Sequence, residues 1–178
     1  MFAFLRAINV GGRTVTMDRL RAAFVETGLS DVETFIASGN IIFSTKAAGR
    51  EALERRIEKA LAASLGWQVD TFVRSAGELA EIARYEPFGR HDRQPAGAVL
   101  HIAFMRELPP AATRDIILEH RSEIDDFRVH GRELYWLIRG RMSDSNFSAA
   151  RLEKILGAPV TARNANTVRR LTERYCPA

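Results

Sequence analysis

Phe4-Leu5-Arg6-Ala7-Ile8-Asn9-Val10-Gly11-Gly12-Arg13 reads as a strand running into a glycine turn, and the turn feeds a helix. Phe2, Phe4, Arg6 and Ile8 alternate with Ala3, Leu5 and Ala7, a period of two that predicts a strand. Gly11-Gly12 stops it. Thr16 can cap the helix that follows, and Asp18 lies in its first turn, where the helix dipole favours a carboxylate. Met17, Leu20 and Phe24 recur at three and four, so they share one helical face.

Outward from that stretch, residues 32–37 and 41–44 read as strands joined by the short turn Ser38-Gly39-Asn40. Leu53, Ile57 and Leu61 form a helical stripe, and residues 68–74 alternate again. Ser75 and Glu78 have the spacing of a capping box ahead of a short helix. Residues 85–97, Y-E-P-F-G-R-H-D-R-Q-P-A-G, lack periodicity and read as a linker.

The order then repeats. Residues 98–105 predict a strand, and Pro109-Pro110 opens a helix to about His120. Residues 127–129 and 134–138 are strands around a turn at His130-Gly131-Arg132. Asp144 or Ser145 is expected to cap a helix carrying Phe147, Leu152 and Ile155. Residues 160–163 form a last strand, and Val168, Leu171 and Tyr175 line a last helix.

Each half is therefore β-α-β-β-α-β-α, the order of a ferredoxin-like split unit. The expected fold is α+β, with ferredoxin-like halves at 1–84 and 98–178 joined by 85–97. Right-handed crossovers place the strands of each half as 4-1-3-2 in an antiparallel sheet.

Bulk properties narrow the class. A chain of 178 residues with net charge +4 and 27% charged residues is a folded protein with its own core. Its single cysteine, Cys176, excludes an internal disulfide and fits a reducing compartment. The opening residues do not read as a signal peptide and no long apolar run follows, so a cytoplasmic location without membrane attachment is expected. The basic balance suits a polyanion as partner, although the arginines are spread along the chain rather than gathered in a block.

The topology gathers the polar turns. The loop after the first strand and the hairpin after the second emerge at one end of the sheet, starting roughly 10 Å apart at a ~4.8 Å strand spacing. Asn9, Gly11, Gly12, Arg13, Ser38, Gly39 and Asn40 then line one rim. Backbone N–H groups in a glycine turn before a helix suit an anion, though glycine and asparagine also build turns with no ligand. Arg163 ends a strand, and Asn164 or Asn166 can cap the last helix; capping employs one asparagine and leaves the other and the arginine for a carboxylate or phosphate. Phe2, Phe4 and Arg6, with Phe35, Phe43, Phe72 and Arg74, are expected on one sheet face, either open for base stacking or packed on the second half.

Other chemistries are poorly supplied. G-G-R is neither a Walker loop nor G-x-G-x-x-G. His91, His101, His120 and His130 lack ligand spacing, and one cysteine cannot build a thiolate site, so no metal and no cofactor are expected. Asp125 and Asp126 are neighbours on a strand and point to opposite faces, a poor carboxylate pair. Ser38 has no evident base. No catalytic residue can be named.

Leu5 to Arg13, Ser38-Gly39-Asn40, and Thr161-Ala162-Arg163-Asn164-Ala165-Asn166-Thr167 together resemble a bacterial family grouped as a domain of unknown function. Its members carry L-R-G-I-N-V-G-G-K, S-G-N and T-T-R-N-W-N-T in that order. Leu152-Glu153-Lys154-Ile155-Leu156-Gly157 is also similar to its pattern. The resemblance implies a two-part α+β fold and brings no activity or substrate. It strengthens Arg6, Asn9, Gly39, Asn40, Arg163 and Asn164 as site candidates. Ala7 stands where the family has glycine, Ala162 where it has threonine, and Ala165 where it has tryptophan.

Three readings follow as expectations. One is binding of a polyanion, with single-stranded nucleic acid as the leading case, at the rim of polar turns. The alternative is an enzyme or sensor for a small anionic metabolite held between the halves. A structural or interaction module without a ligand is the third. The oligomeric state is left open.

Overall fold

A computed structural model describes residues 1–9, 14–36, 39–47, 49–89 and 97–176. The chain is α+β and divides into two compact units, Met1–Leu79 and Ala80–Ala178. The first holds β1 (Phe2–Leu5), α1 (Met17–Glu26), β2 (Ser30–Thr34), β3 (Asn40–Ser44), α2 (Arg50–Leu65) and β4 (Thr71–Arg74). α3 (Ala76–Arg84) follows. The second holds β5 (Val99–Phe104), α4 (Ala111–Leu118), β6 (Asp125–His130), β7 (Glu133–Ile138), α5 (Ala149–Leu156), β8 (Thr161–Asn164) and α6 (Ala165–Tyr175). Both sheets are antiparallel, in the orders β2-β3-β1-β4 and β6-β7-β5-β8, the arrangement expected of two ferredoxin-like halves.

In the first unit, Leu20 and Phe24 of α1 and Leu53, Ile57 and Leu61 of α2 pack on Ala3, Leu5, Ile41, Phe43 and Val73. The register decides which phenylalanine is where. Ala3 pairs with Ile41 and Phe2 with Ile42, so Phe43 shares the face of Ala3. Its ring lies 5.7 Å from that of Phe24. Phe43 therefore belongs under the helices and not beside Phe2, as alternation alone had suggested. Phe72 and Arg74 do sit opposite Phe4 and Phe2. Phe2, Phe4, Phe72 and Arg74 are at most 2% exposed, so none offers a surface for a base to stack on.

Carboxylates on the helices finish the edge strands. Val73 N–H donates to Glu54 Oε1 at 2.9 Å, and Thr71 N–H donates to Glu58 Oε1 at 2.8 Å. One turn of α2 thus satisfies two outward N–H groups of β4. In the second unit Val160 N–H donates to Glu153 Oε1 at 3.0 Å, just ahead of β8. The outer edge of β6 is closed by its own side chains and by Arg121 ahead of it: Phe127 N–H donates to Asp126 Oδ1 at 2.9 Å, and Arg121 and Arg128 donate to Phe127 O.

Local caps agree with the sequence at two places and differ at a third. Thr16 Oγ1 accepts from Arg19 N–H at 3.2 Å. Ser75 and Glu78 form the reciprocal box, at 2.7 and 3.2 Å. The cap of α5 is Ser148, which accepts from Arg151 N–H at 3.1 Å, and not Asp144 or Ser145. Residues Met142–Asp144 form a separate 3-10 turn, and the Ser145 hydroxyl contacts both carboxylate oxygens of Asp125 at 2.8 and 3.0 Å. That turn delays the helix and drops Phe147 into the core, 4.6 Å from the Phe127 ring and edge-on to Trp136 at 5.4 Å.

Candidate functional site

The first two motifs meet inside the first unit. The S-G-N turn ends in β3, the immediate neighbour of β1, so the separation is one hydrogen bond: Leu5 N–H donates to Gly39 O at 2.8 Å. The roughly 10 Å expected from strand spacing applied to β2, which lies one strand further away. Gly39 has φ +69°, and a Cβ built there would stand 3.1 Å from the Cβ atoms of Leu5 and Ile8. Glycine is needed both for the left-handed backbone and for the close approach.

Around that contact the polar candidates have structural partners. Arg6 Nη1 lies 3.5 Å from Asp70 Oδ2. Asn9 has φ +56°, and its Oδ1 accepts from Val15 N–H at 2.8 Å, tying the backbone after β1 to the residue two before α1. Asn40 is a strand residue, 1% exposed, whose Nδ2 donates to Phe35 O at 3.1 Å across the hairpin. Gly11, Gly12, Arg13 and Ser38 lie outside the described residues.

The third motif lies in the second unit. Arg163 pairs with Ile102, and its Nη1 donates to Thr161 Oγ1 and Ala162 O, each at 2.8 Å. Burial pushes its guanidinium down to about 10, so it stays cationic at neutral pH. Asn164 caps α6, its Oδ1 accepting from Asn166 N–H at 2.8 Å. Asn166 Oδ1 accepts from Arg169 Nη1 at 3.0 Å.

Asn164 and Asn166, though not Arg163, border a cavity of about 150 Å³ at the end of the sheet where β5 begins and β8 finishes. Val99, Leu100 and Leu137 supply apolar wall; Asn164, Asn166 and Arg169 supply polar groups. Each asparagine Oδ1 accepts one hydrogen bond here, and both amide NH₂ groups and the rest of the Arg169 guanidinium remain as donors. Arg169 was not singled out from the sequence. Its signal was helical spacing, three residues beyond Asn166 on the same face.

Among the described residues, no three or more His, Cys, Asp or Glu side chains gather as a metal site. Asp125 and Asp126 do face opposite ways. Asp125 accepts from Trp136 Nε1 at 2.7 Å, while Asp126 holds Arg121, Arg128 and Arg139 at 3.1, 2.9 and 3.1 Å. Burial raises the Cys176 thiol above its ordinary range, away from the reactive thiolate. No described helix is long and apolar enough to cross a membrane.

No curated protein matches the chain. Its fold is similar to that of a solved structure described as the conserved bacterial protein SP0830 from Streptococcus pneumoniae. That likeness has a TM-score of 0.68 at 23% identity, covering 97% of this chain and 96% of the other, and it bears on the fold alone. Residues 1–135 match the family described as Protein of unknown function (DUF1697), and the chain belongs to that family.

Proposed function

We propose that the protein binds a small anionic ligand, best matched by a short aliphatic carboxylate, in the cavity at the start of α6. The supporting observation is that Asn164, Asn166 and Arg169 border one cavity, where each asparagine Oδ1 already accepts a hydrogen bond and the amide NH₂ groups and the guanidinium are donors. A carboxylate accepts several hydrogen bonds and favours the positive end of a helix dipole. The Val99, Leu100 and Leu137 wall suits an alkyl group on that carboxylate.

Single-stranded nucleic acid is the less favoured ligand. The net charge of +4 supports it, but Phe2, Phe4 and Phe72 are buried and cannot stack on bases. A reducing, cytoplasmic setting fits the single cysteine.

The test is calorimetric titration of acetate, isobutyrate and phosphate into the parent and Arg169→Gln proteins. Isobutyrate binding that falls roughly tenfold or more in Arg169→Gln is expected, since a charge-assisted hydrogen bond is worth about 1.5–3 kcal/mol. Equal binding by the two proteins would remove the cavity from the function. A parallel titration with labelled single-stranded RNA across a salt series decides the other reading, because phosphate-driven binding must weaken steeply with salt.

A further inference from the structure

We propose a second, unrelated site in the first unit: a cleft that binds a sugar phosphate. It lies where β3 runs out at Ser44, beside the start of β2 and the α2 residue Arg56. Its volume is about 440 Å³, within the roughly 300–1,000 Å³ usual for small-molecule sites. Ser30, Ser44 and Thr45 bring hydroxyls to it, and Lys46 and Arg56 bring positive charge. Among the described residues that line it there is no carboxylate and no aromatic ring.

The chemistry of that lining selects the ligand. Neither Lys46 nor Arg56 has an ion-pair partner among the described residues. Two unneutralised cations of different kinds suit a dianionic phosphate: the guanidinium as a planar fork, the ammonium as a point charge. The hydroxyls are already differentiated. Thr45 Oγ1 accepts from Ala47 N–H at 3.0 Å, which leaves its hydrogen to donate. Ser30 Oγ donates to Asp31 Oδ2 at 3.4 Å, which leaves its lone pairs to accept. A sugar hydroxyl both donates and accepts, so it answers each of them. With no ring in the lining a nucleobase has nothing to stack on, and with only Gly28 and Ala47 as apolar members an alkyl chain has little to bury against. The contrast with the α6 cavity, which has an aliphatic wall and a single guanidinium, separates the two sites by ligand class.

The experiment is an amide NMR titration of the full chain with ribose 5-phosphate, ribose, inorganic phosphate and a single-stranded RNA. Ribose 5-phosphate is expected to shift the signals of residues 44–47 saturably, with ribose silent and phosphate roughly tenfold weaker. Arg56→Gln and Lys46→Gln, both at exposed positions, should each weaken the response about tenfold and leave the rest of the spectrum in place. Arg169→Gln should change nothing here. Absence of shifts with ribose 5-phosphate, or equal responses in parent and Arg56→Gln, would overturn the proposal. So would phosphate binding as tightly as the sugar phosphate, or RNA acting at these residues where the sugar phosphate does not.

Discussion

Leu5 and Gly39 are joined by a 2.8 Å hydrogen bond from the Leu5 N–H to the Gly39 carbonyl oxygen, and a Cβ at Gly39 would stand 3.1 Å from the Leu5 Cβ, closer than an ordinary contact. The end of β1 and the hairpin before β3 are thus one packed corner. The first two sequence motifs hold that corner together.

Substitution at Gly39 should therefore unfold the first unit preferentially. Gly39→Val adds left-handed strain of ~1–2 kcal/mol and overpacking of ~1–3 kcal/mol against Leu5 and Ile8. A loss of about 2–5 kcal/mol in chemical denaturation is expected. An unchanged midpoint would show that the corner relaxes freely.

Ala7 should respond in the opposite sense. Its φ is +56°, where an L-residue is strained and glycine is not. Ala7→Gly should stabilise the protein by about 1 kcal/mol, a rise of roughly 2–4 °C in melting temperature. A fall in melting temperature would place the left-handed geometry elsewhere. The glycine of the family motif at this place has the same physical reason.

Glu54 is 1% exposed, accepts from Val73 N–H and lies 3.4 Å from Arg50. Glu54→Ala strands a buried N–H and removes the partner of a cation, and should cost about 3 kcal/mol. Glu54→Gln keeps an acceptor for the strand and should cost less than half as much. Equal losses, read from urea midpoints, would mean that charge rather than the N–H contact matters there.

Burial holds the His101 imidazole below its ordinary value of 6.5. The native state then binds fewer protons than the unfolded chain between the lowered value and 6.5. Stability is fully present above 6.5 and declines as pH falls from there toward the lowered value. In His101→Gln that decline is absent, so the gap between parent and variant melting temperatures should narrow on acidification from about pH 8 to 5. A constant gap would mean that His101 titrates alike folded and unfolded.

The cavity at α6 was half legible. Asn164 and Asn166 stood out because two asparagines at a helix start exceed what one cap requires. Arg169 did not, because one arginine on an amphipathic helix is ordinary until the wall it faces is known. The Lys46 and Arg56 cleft was not legible at all. Its members come from the turn after α1, the start of β2, the end of β3 with the loop after it, and α2, and only the tertiary packing brings them together.

The sequence by itself determined the element order, the two βαββαβ halves, the Thr16 and Ser75–Glu78 caps, and the need for glycine at the hairpin. All of these rest on interactions a few residues long: side-chain alternation, helical spacing, and local hydrogen bonds that close within a turn. Tertiary structure decided that Phe43 turns under the helices, that Ser148 rather than Asp144 caps α5, and that Glu54 is buried against β4. It also decided that Gly39 meets Leu5 directly. The Ser148 cap is itself local but follows from the Ser145–Asp125 contact, twenty residues apart, that holds the preceding turn; the others depend on pairing register or on distant partners, and a single-residue shift in register exchanges the two faces of a strand.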